Sequence, residues 1–186
     1  MADILNLTRS KTRRDVLTLL FSNTDVRHYT RELERELGYS SGNIRRELLK
    51  LQSEGLLKTE KQGNALFYFI DKSYPLYNEI KSIISKTSGV EGLLRNLINK
   101  EEEISKAFIY GSYAGGTENG NSDIDLIIIG EINEKEFLKE IRSIEVKIGR
   151  EINYTLYSKK EFESKSKEKG GFLNIVMQDK TISLKG

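Results

Sequence analysis

Apolar residues recur along this chain with two periods, one helical and one alternating, and the two come in blocks. Val16, Leu19 and Leu20 lie at helical spacing and predict a first helix over 10–23. Arg27, His28 and Tyr29 read as a very short strand, and Thr30 is a good N-cap for a second helix over 30–37, stopped by Gly38. Ser40 or Ser41 caps a third helix to about residue 55, with Ile44, Leu48 and Leu51 as its buried stripe and Asn43, Arg46 and Lys50 on the opposite side. Residues 57–62 and 65–70 are β-like runs around Gly63-Asn64, the signature of a hairpin. Pro75 opens a further helix carrying Leu76, Ile80, Ile83 and Ile84, and after Thr87-Ser88-Gly89 the stripe resumes with Val90, Leu93, Leu94, Leu97 and Ile98.

Beyond residue 105 the pattern changes. Strands are expected over 106–110, 123–129 and 150–157, and a helix over 134–147 with Phe137, Ile141 and Ile144 on its inner face. The 123–129 run is apolar on both faces, which marks a central strand. A charged helix over 159–169, a short helix over 172–177 and an edge strand over 181–184 complete the reading. The fold class is α+β: three helices and a hairpin, linker helices, then a mixed sheet with helices. The expected domains are 1–75, a connecting helix over 76–89, and 90–186. That connecting helix either crosses a dimer, giving a homodimer, or covers its own module's core.

Composition narrows the function. Of 186 residues, 31% are charged and 37% hydrophobic, as in a soluble globular protein. The absence of cysteine removes disulfides, thiolate zinc sites and cysteine nucleophiles, and suits a reducing compartment. The single histidine, His28, excludes a histidine-based metal centre and is expected to be structural. No apolar run reaches membrane-span length and no signal peptide is evident, so a cytoplasmic location without membrane association is expected. The net charge of +2 is uneven: residues 1–89 carry 15 basic against 11 acidic side chains, and residues 90–186 carry 15 against 17. The basic half is compatible with nucleic acid.

The chemistry centres on residues 108–129. A strand delivers Gly111-Ser112, a glycine-rich turn comes next, and a second strand opens with Asp123 and Asp125. Carboxylates two residues apart on a strand share a face at about 7 Å. Such a pair is tolerable when a hard cation with phosphate ligands lies between them. The plain alternative is a hairpin whose turn happens to carry the two acids. The stretch resembles the nucleotidyltransferase signature of the DNA polymerase beta superfamily, and within it the minimal nucleotidyltransferases. Gly111, Ser112, Ala114, Gly116, Ser122, Asp123, Asp125 and Leu126 carry the match.

That resemblance implies a catalytic and metal-binding set of Asp123, Asp125 and a third carboxylate from the next strand. It also implies nucleotide contacts at Gly111, Ser112 and Ser122, a nucleoside triphosphate such as ATP, and two Mg²⁺ ions. Two departures stand out. Gly115 replaces an arginine common in that group, and the next strand offers Glu151 and Asn153 instead of the usual aspartate. Glu151 is taken as the third acid, the alternative being a salt bridge to Lys147 or Arg150.

Residues 1–75 resemble ArsR-like winged helix-turn-helix regulators in the order of their elements. The resemblance implies binding to double-stranded DNA through Asn43, Arg45, Arg46 and Lys50 of the third helix. Lys58, Lys61, Gln62 and Asn64 would sit on the wing. A protein-docking module is the alternative. Three functions remain open: a transferase acting on a hydroxyl, for instance on a protein; a transcription regulator that only binds nucleotide; and an antitoxin paired with a HEPN-type toxin.

Overall fold

A computed structural model describes residues 10–118 and 122–186, and the chain falls into two compact units, 1–92 and 93–186. In the first unit, α1 spans Lys11–Ser22, β1 His28–Tyr29, α2 Thr30–Leu37, α3 Ser41–Ser53, β2 Leu57–Gln62, β3 Ala65–Ile70 and α4 Tyr77–Thr87. Ser10 caps α1, its hydroxyl accepting from the Arg13 amide at 3.2 Å. The N-cap of α2 is Tyr29, not Thr30, which is already helical; the Glu32 carboxylate accepts from the Tyr29 amide at 3.4 Å. Gly38 ends α2 with φ +70°, a conformation that disfavours a Cβ.

The three strands form an antiparallel sheet in the order β1-β3-β2, with Gln62 opposite Ala65. Gly63 alone takes positive φ at that two-residue turn, the pattern of a type II′ hairpin. Val16, Leu20, Leu33, Ile44, Leu48 and Leu51 close the core with Tyr68 and Ile70. Ile84 of α4 joins the same core, and the Thr18 and Ser88 hydroxyls meet at 2.6 Å. The α4 helix therefore covers its own unit's core, one of the two arrangements the pattern allowed.

His28 is buried in this unit, with Nδ1 3.5 Å from a Glu32 oxygen. Glu47 is the acid that follows Arg45 and Arg46 in the chain. It turns inward, only 3% exposed, and accepts from the Ser10 hydroxyl at 3.1 Å, so it does not stand among the arginines of α3.

The helix α5, Val90–Lys100, runs across the boundary between the units. The second unit then adds β4 Ile104–Tyr110, α6 Gly111–Gly115, β5 Ile124–Gly130, α7 Glu134–Ile148, β6 Ile152–Tyr157, α8 Lys159–Ser166, α9 Phe172–Gln178 and β7 Ile182–Lys185. Its sheet has the order β6-β5-β4-β7. Pairings β5–β4 and β4–β7 are antiparallel, while β5–β6 is parallel, joined by the α7 crossover. Arg95 donates to the Ser183 and Leu184 carbonyls, both at 2.7 Å, and fastens the edge strand to α5.

The two faces of β5 bury different partners. Ile127 and Ile129 cluster with Phe108 and with Leu173 and Val176 of α9. Leu126 lies on the other face beside Tyr154, whose ring packs edge-on to Phe137 of α7 at 5.3 Å. Both faces of β5 are thus buried, and Asp125, near its N-terminal end, is the one residue of the strand that is half-buried. Among the described residues no helix is long and apolar enough to cross a membrane.

Phe137 is 1% exposed and links α7 to the sheet. Phe137→Ala is expected to lower unfolding free energy by about 3–5 kcal/mol, from lost burial plus the cavity left behind. Urea denaturation measures this, and a loss under about 1 kcal/mol would show that α7 does not depend on that ring.

Candidate active site

The open end of β5 is where the chemistry-bearing residues meet. Antiparallel register sets Tyr110, the last residue of β4, opposite Asp125. Parallel register sets Asn153 of β6 opposite Asp125 on the other side. Tyr110, Asp125 and Asn153 therefore form a row across one face of the sheet. Asp123 lies one residue before β5 instead of within it, exposed, and its Oδ2 accepts from the Asn153 side-chain amide at 3.2 Å.

The chain does not leave β4 through an open turn. Gly111–Gly115 forms the single-turn helix α6, closed by Gly116 at φ +74°. Gly111 itself has φ +73°, and a Cβ there would stand 2.7 Å from the Asp125 Oδ2. Glycine is required twice over, for the backbone angle and for the room taken by the carboxylate. Ser112 is half-buried on α6, and Ser122 is half-buried just ahead of Asp123.

The electrostatics derive from crowding. Burial, and then the charge of Asp123, push the Asp125 carboxyl above the ordinary aspartate value. Burial and the nearby Asp125 charge likewise raise the Tyr110 phenol, which stays protonated. The charged form of Asp125 is thus less favoured than that of an ordinary surface aspartate.

Glu151 is placed differently from the two aspartates. Its carbonyl accepts from the Ile124 amide at 2.9 Å, but it precedes β6 and its exposed side chain lines a surface depression with Glu145, Val146, Gly149 and Arg150. Among the described residues no three acids or histidines gather closely enough to hold a metal ion. The structure brings Asp123, Asp125 and Asn153 together and leaves Glu151 aside.

Sequence patterning missed Arg150. It is 7% exposed, its Nε donates to the Ser122 carbonyl at 2.7 Å, and its guanidinium lies over the Tyr113 ring at 5.2 Å. The only local signal was an aromatic residue inside an otherwise small-residue glycine segment.

In the first unit, Arg45, Arg46 and Lys50 are exposed on α3 and line one depression with Gly42, Leu49 and Ser53. Asn43 is half-buried, and its side-chain oxygen accepts from Arg46 Nη2 at 3.1 Å. Lys61 is exposed near the hairpin tip, and Gln62 and Asn64 line a second depression with Tyr29, Thr30 and Arg31. Lys58 is engaged elsewhere: it pairs with Asp71 at 2.9 Å.

Residues 93–182 match the family described as Polymerase beta, Nucleotidyltransferase, so the second unit carries a nucleotidyltransferase-type domain. Two solved structures are similar. One is a toxin–antitoxin crystal structure with AMP-PNP, 17% identical over 52% of this chain and 73% of that chain, with a TM-score of 0.39. The other is a candidate nucleotidyltransferase from Sulfolobus solfataricus, 19% identical over 45% of this chain and 81% of that chain, with a TM-score of 0.26. No curated protein matches the chain.

The raised Asp125 carboxyl gives a signed expectation. Above its folded-state pKa the native protein holds a charge it disfavours, and that penalty disappears as pH falls to the ordinary carboxylate value of 3.8. Asp125→Asn is therefore expected to raise Tm at neutral pH without divalent ion, with the gain shrinking as pH falls through that window. Calorimetry across pH decides this; an unchanged or lowered Tm at neutral pH would contradict it.

Proposed function

We propose that the second unit transfers a nucleoside monophosphate from a nucleoside triphosphate, such as ATP, to a hydroxyl acceptor with the help of magnesium ions. The observation that carries this reading is Asp125. It is an acid held beside Asp123 at the N-terminal end of a buried strand, where burial and the neighbouring charge raise its carboxyl above the ordinary value and a cation would offset both. Asp123 and Asp125 are the two hard oxygen donors that would hold such an ion, the remaining positions being left to phosphate and water; Asn153 steadies Asp123 through its side-chain amide. When bound, divalent ions supply neutralisation of the charge growing on the attacking and leaving oxygens.

The remaining work belongs to the chain. Gly111 leaves the backbone bare where phosphate must approach, and the Ser112 hydroxyl is a donor for phosphate oxygens. Ser122 shapes the approach to Asp123. The acceptor hydroxyl's oxygen bonds to the α-phosphorus as its proton passes to a carboxylate, the bond to the bridging oxygen breaks, and pyrophosphate leaves. Asn153 cannot take the acceptor proton, so Glu151 is the residue left to fill the third-carboxylate role. Its position aside from the row favours a second reading, in which the unit binds nucleotide but turns over slowly.

For the first unit we infer a winged helix that binds double-stranded DNA. Three helices precede a Gly63-Asn64 hairpin, and the exposed cations of α3 stand opposite its buried stripe of Ile44, Leu48 and Leu51. Asn43, Arg45, Arg46 and Lys50 would meet the groove, and Lys61 and Asn64 the flanking backbone. The domain division at 75 and 90 is part of this proposal.

Two measurements test these readings. Incubation with α-labelled ATP and magnesium is expected to label an acceptor, with Asp123→Ala reducing the rate by about a hundredfold or more. Glu151→Gln separates the two forms: loss of rate with unchanged ATP affinity supports the third-acid role, and an unaltered rate removes it. Separately, Arg46→Glu is expected to weaken duplex binding about tenfold or more and to flatten its salt dependence. Fluorescence anisotropy at two salt concentrations reads both, and unchanged binding would dismiss α3 as the DNA face.

A further inference from the structure

We propose that Arg150 is a positioning residue that clamps together the two ends of the segment joining β4 to β5. The inference rests on the nucleotidyltransferase reading and names what holds its site in register. Tyr113 lies one residue past Ser112, at the start of that segment, and Ser122 lies one residue before Asp123, at its end. One guanidinium engages both. Its Nε donates in plane to the Ser122 carbonyl at 2.7 Å, and its face covers the Tyr113 ring at 5.2 Å.

The clamp is itself anchored. Gly149 closes α7 at φ +65° immediately before Arg150, and the Ile124 amide donates to the Glu151 carbonyl immediately after it. The Ile152 amide donates to Glu145 Oε1 at 2.8 Å. Arg150 thus projects from a hook between α7 and β6 that cannot easily shift. Burial disfavours the cation, and Tyr113, Glu118 and Asp123 oppose that effect. Its Nη2 is buried and has no hydrogen-bond partner among the described residues, so an arginine here is costly unless position matters.

A lysine cannot replace it. The ammonium lacks both the in-plane Nε donor and the flat face that lets one side chain hold a carbonyl and a ring together. The consequence is mechanical: Arg150 sets where Asp123 stands relative to Ser112, so the acid end and the phosphate end of the site stay matched. A cation that merely neutralised Asp123, or touched phosphate directly, would tolerate lysine.

The test uses the full chain with Arg150→Lys, Tyr113→Leu, Tyr113→Phe and the Arg150→Lys/Tyr113→Leu double variant. Amide hydrogen exchange over 111–118 and 122–124 is measured without ligand, and affinity for AMP-PNP with magnesium is measured alongside. Arg150→Lys and Tyr113→Leu are each expected to speed exchange on both flanks and to weaken AMP-PNP about tenfold. The double variant should be no worse than the poorer single, because the two residues form one device. Tyr113→Phe keeps the ring and should lose less than Tyr113→Leu on both readouts.

Wild-type behaviour of Arg150→Lys, or fully additive losses in the double variant, would overturn the clamp. If Arg150→Lys does not fold, the Tyr113→Leu and Tyr113→Phe pair decides alone: exchange on the distant 122–124 flank must rise more in the first than in the second, and equal rises would overturn the clamp. If wild type fails to bind AMP-PNP, the nucleotidyltransferase reading falls, while the exchange measurement still decides the clamp.

Discussion

The constraint that shapes the second unit is a negative charge at the mouth of a strand that is dry on both sides. Asp125 has apolar residues behind it, the Asp123 charge one step away, and the Gly111 backbone against its carboxylate. An apolar sheet alone would select against such a residue. Its surroundings instead accommodate it: glycine at 111 leaves room, Asn153 donates to its neighbour Asp123, and the end of the strand stays open. Each adjustment makes sense if the charge is to be answered by a ligand from outside.

Rigidity around that charge comes from the sheet. Register, not proximity in sequence, sets Tyr110 and Asn153 on either side of Asp125. The α7 crossover fixes β6 against β5, and α9 covers the face that the aspartate shares with Ile127 and Ile129. The few polar residues at this end of the sheet are held in register by the apolar packing of Phe108, Ile127, Ile129, Leu173 and Val176 behind them.

The first unit uses charge in the opposite sense. Its core is closed by α1, α2, α3 and the hairpin, with α4 completing it. Arg45, Arg46 and Lys50 are left on one outward face, while the acid nearest them in sequence, Glu47, is turned inward onto Ser10. The outward face is therefore more uniformly basic than the linear order of residues suggests. Such a surface suits a polyanion, and its field is reduced by salt.

Much of this was readable from residue order because it depends on local periodicity. Phe137, Ile141 and Ile144 repeat at helical spacing and do lie inward on α7, and the Gly63-Asn64 turn pairs residues 57–62 with 65–70 as its two-residue loop requires. Steric limits on glycine and the alternation of a strand act over a few residues, so a pattern expresses them directly. Other features depended on where distant segments came to rest. The turn after β4 closed into a helix because Gly111 reversed the backbone beside Asp125. Asp123 fell outside the strand, and Asn153, not Glu151, reached it. Arg150 met Tyr113 and Ser122 across gaps of 37 and 28 residues, counted from their numbers in the chain. Residue order alone determined the acids, the glycines and the apolar stripes. Only the folded chain decided which of them touch, because electrostatics and hydrogen bonding act through space over a few ångströms and disregard sequence separation.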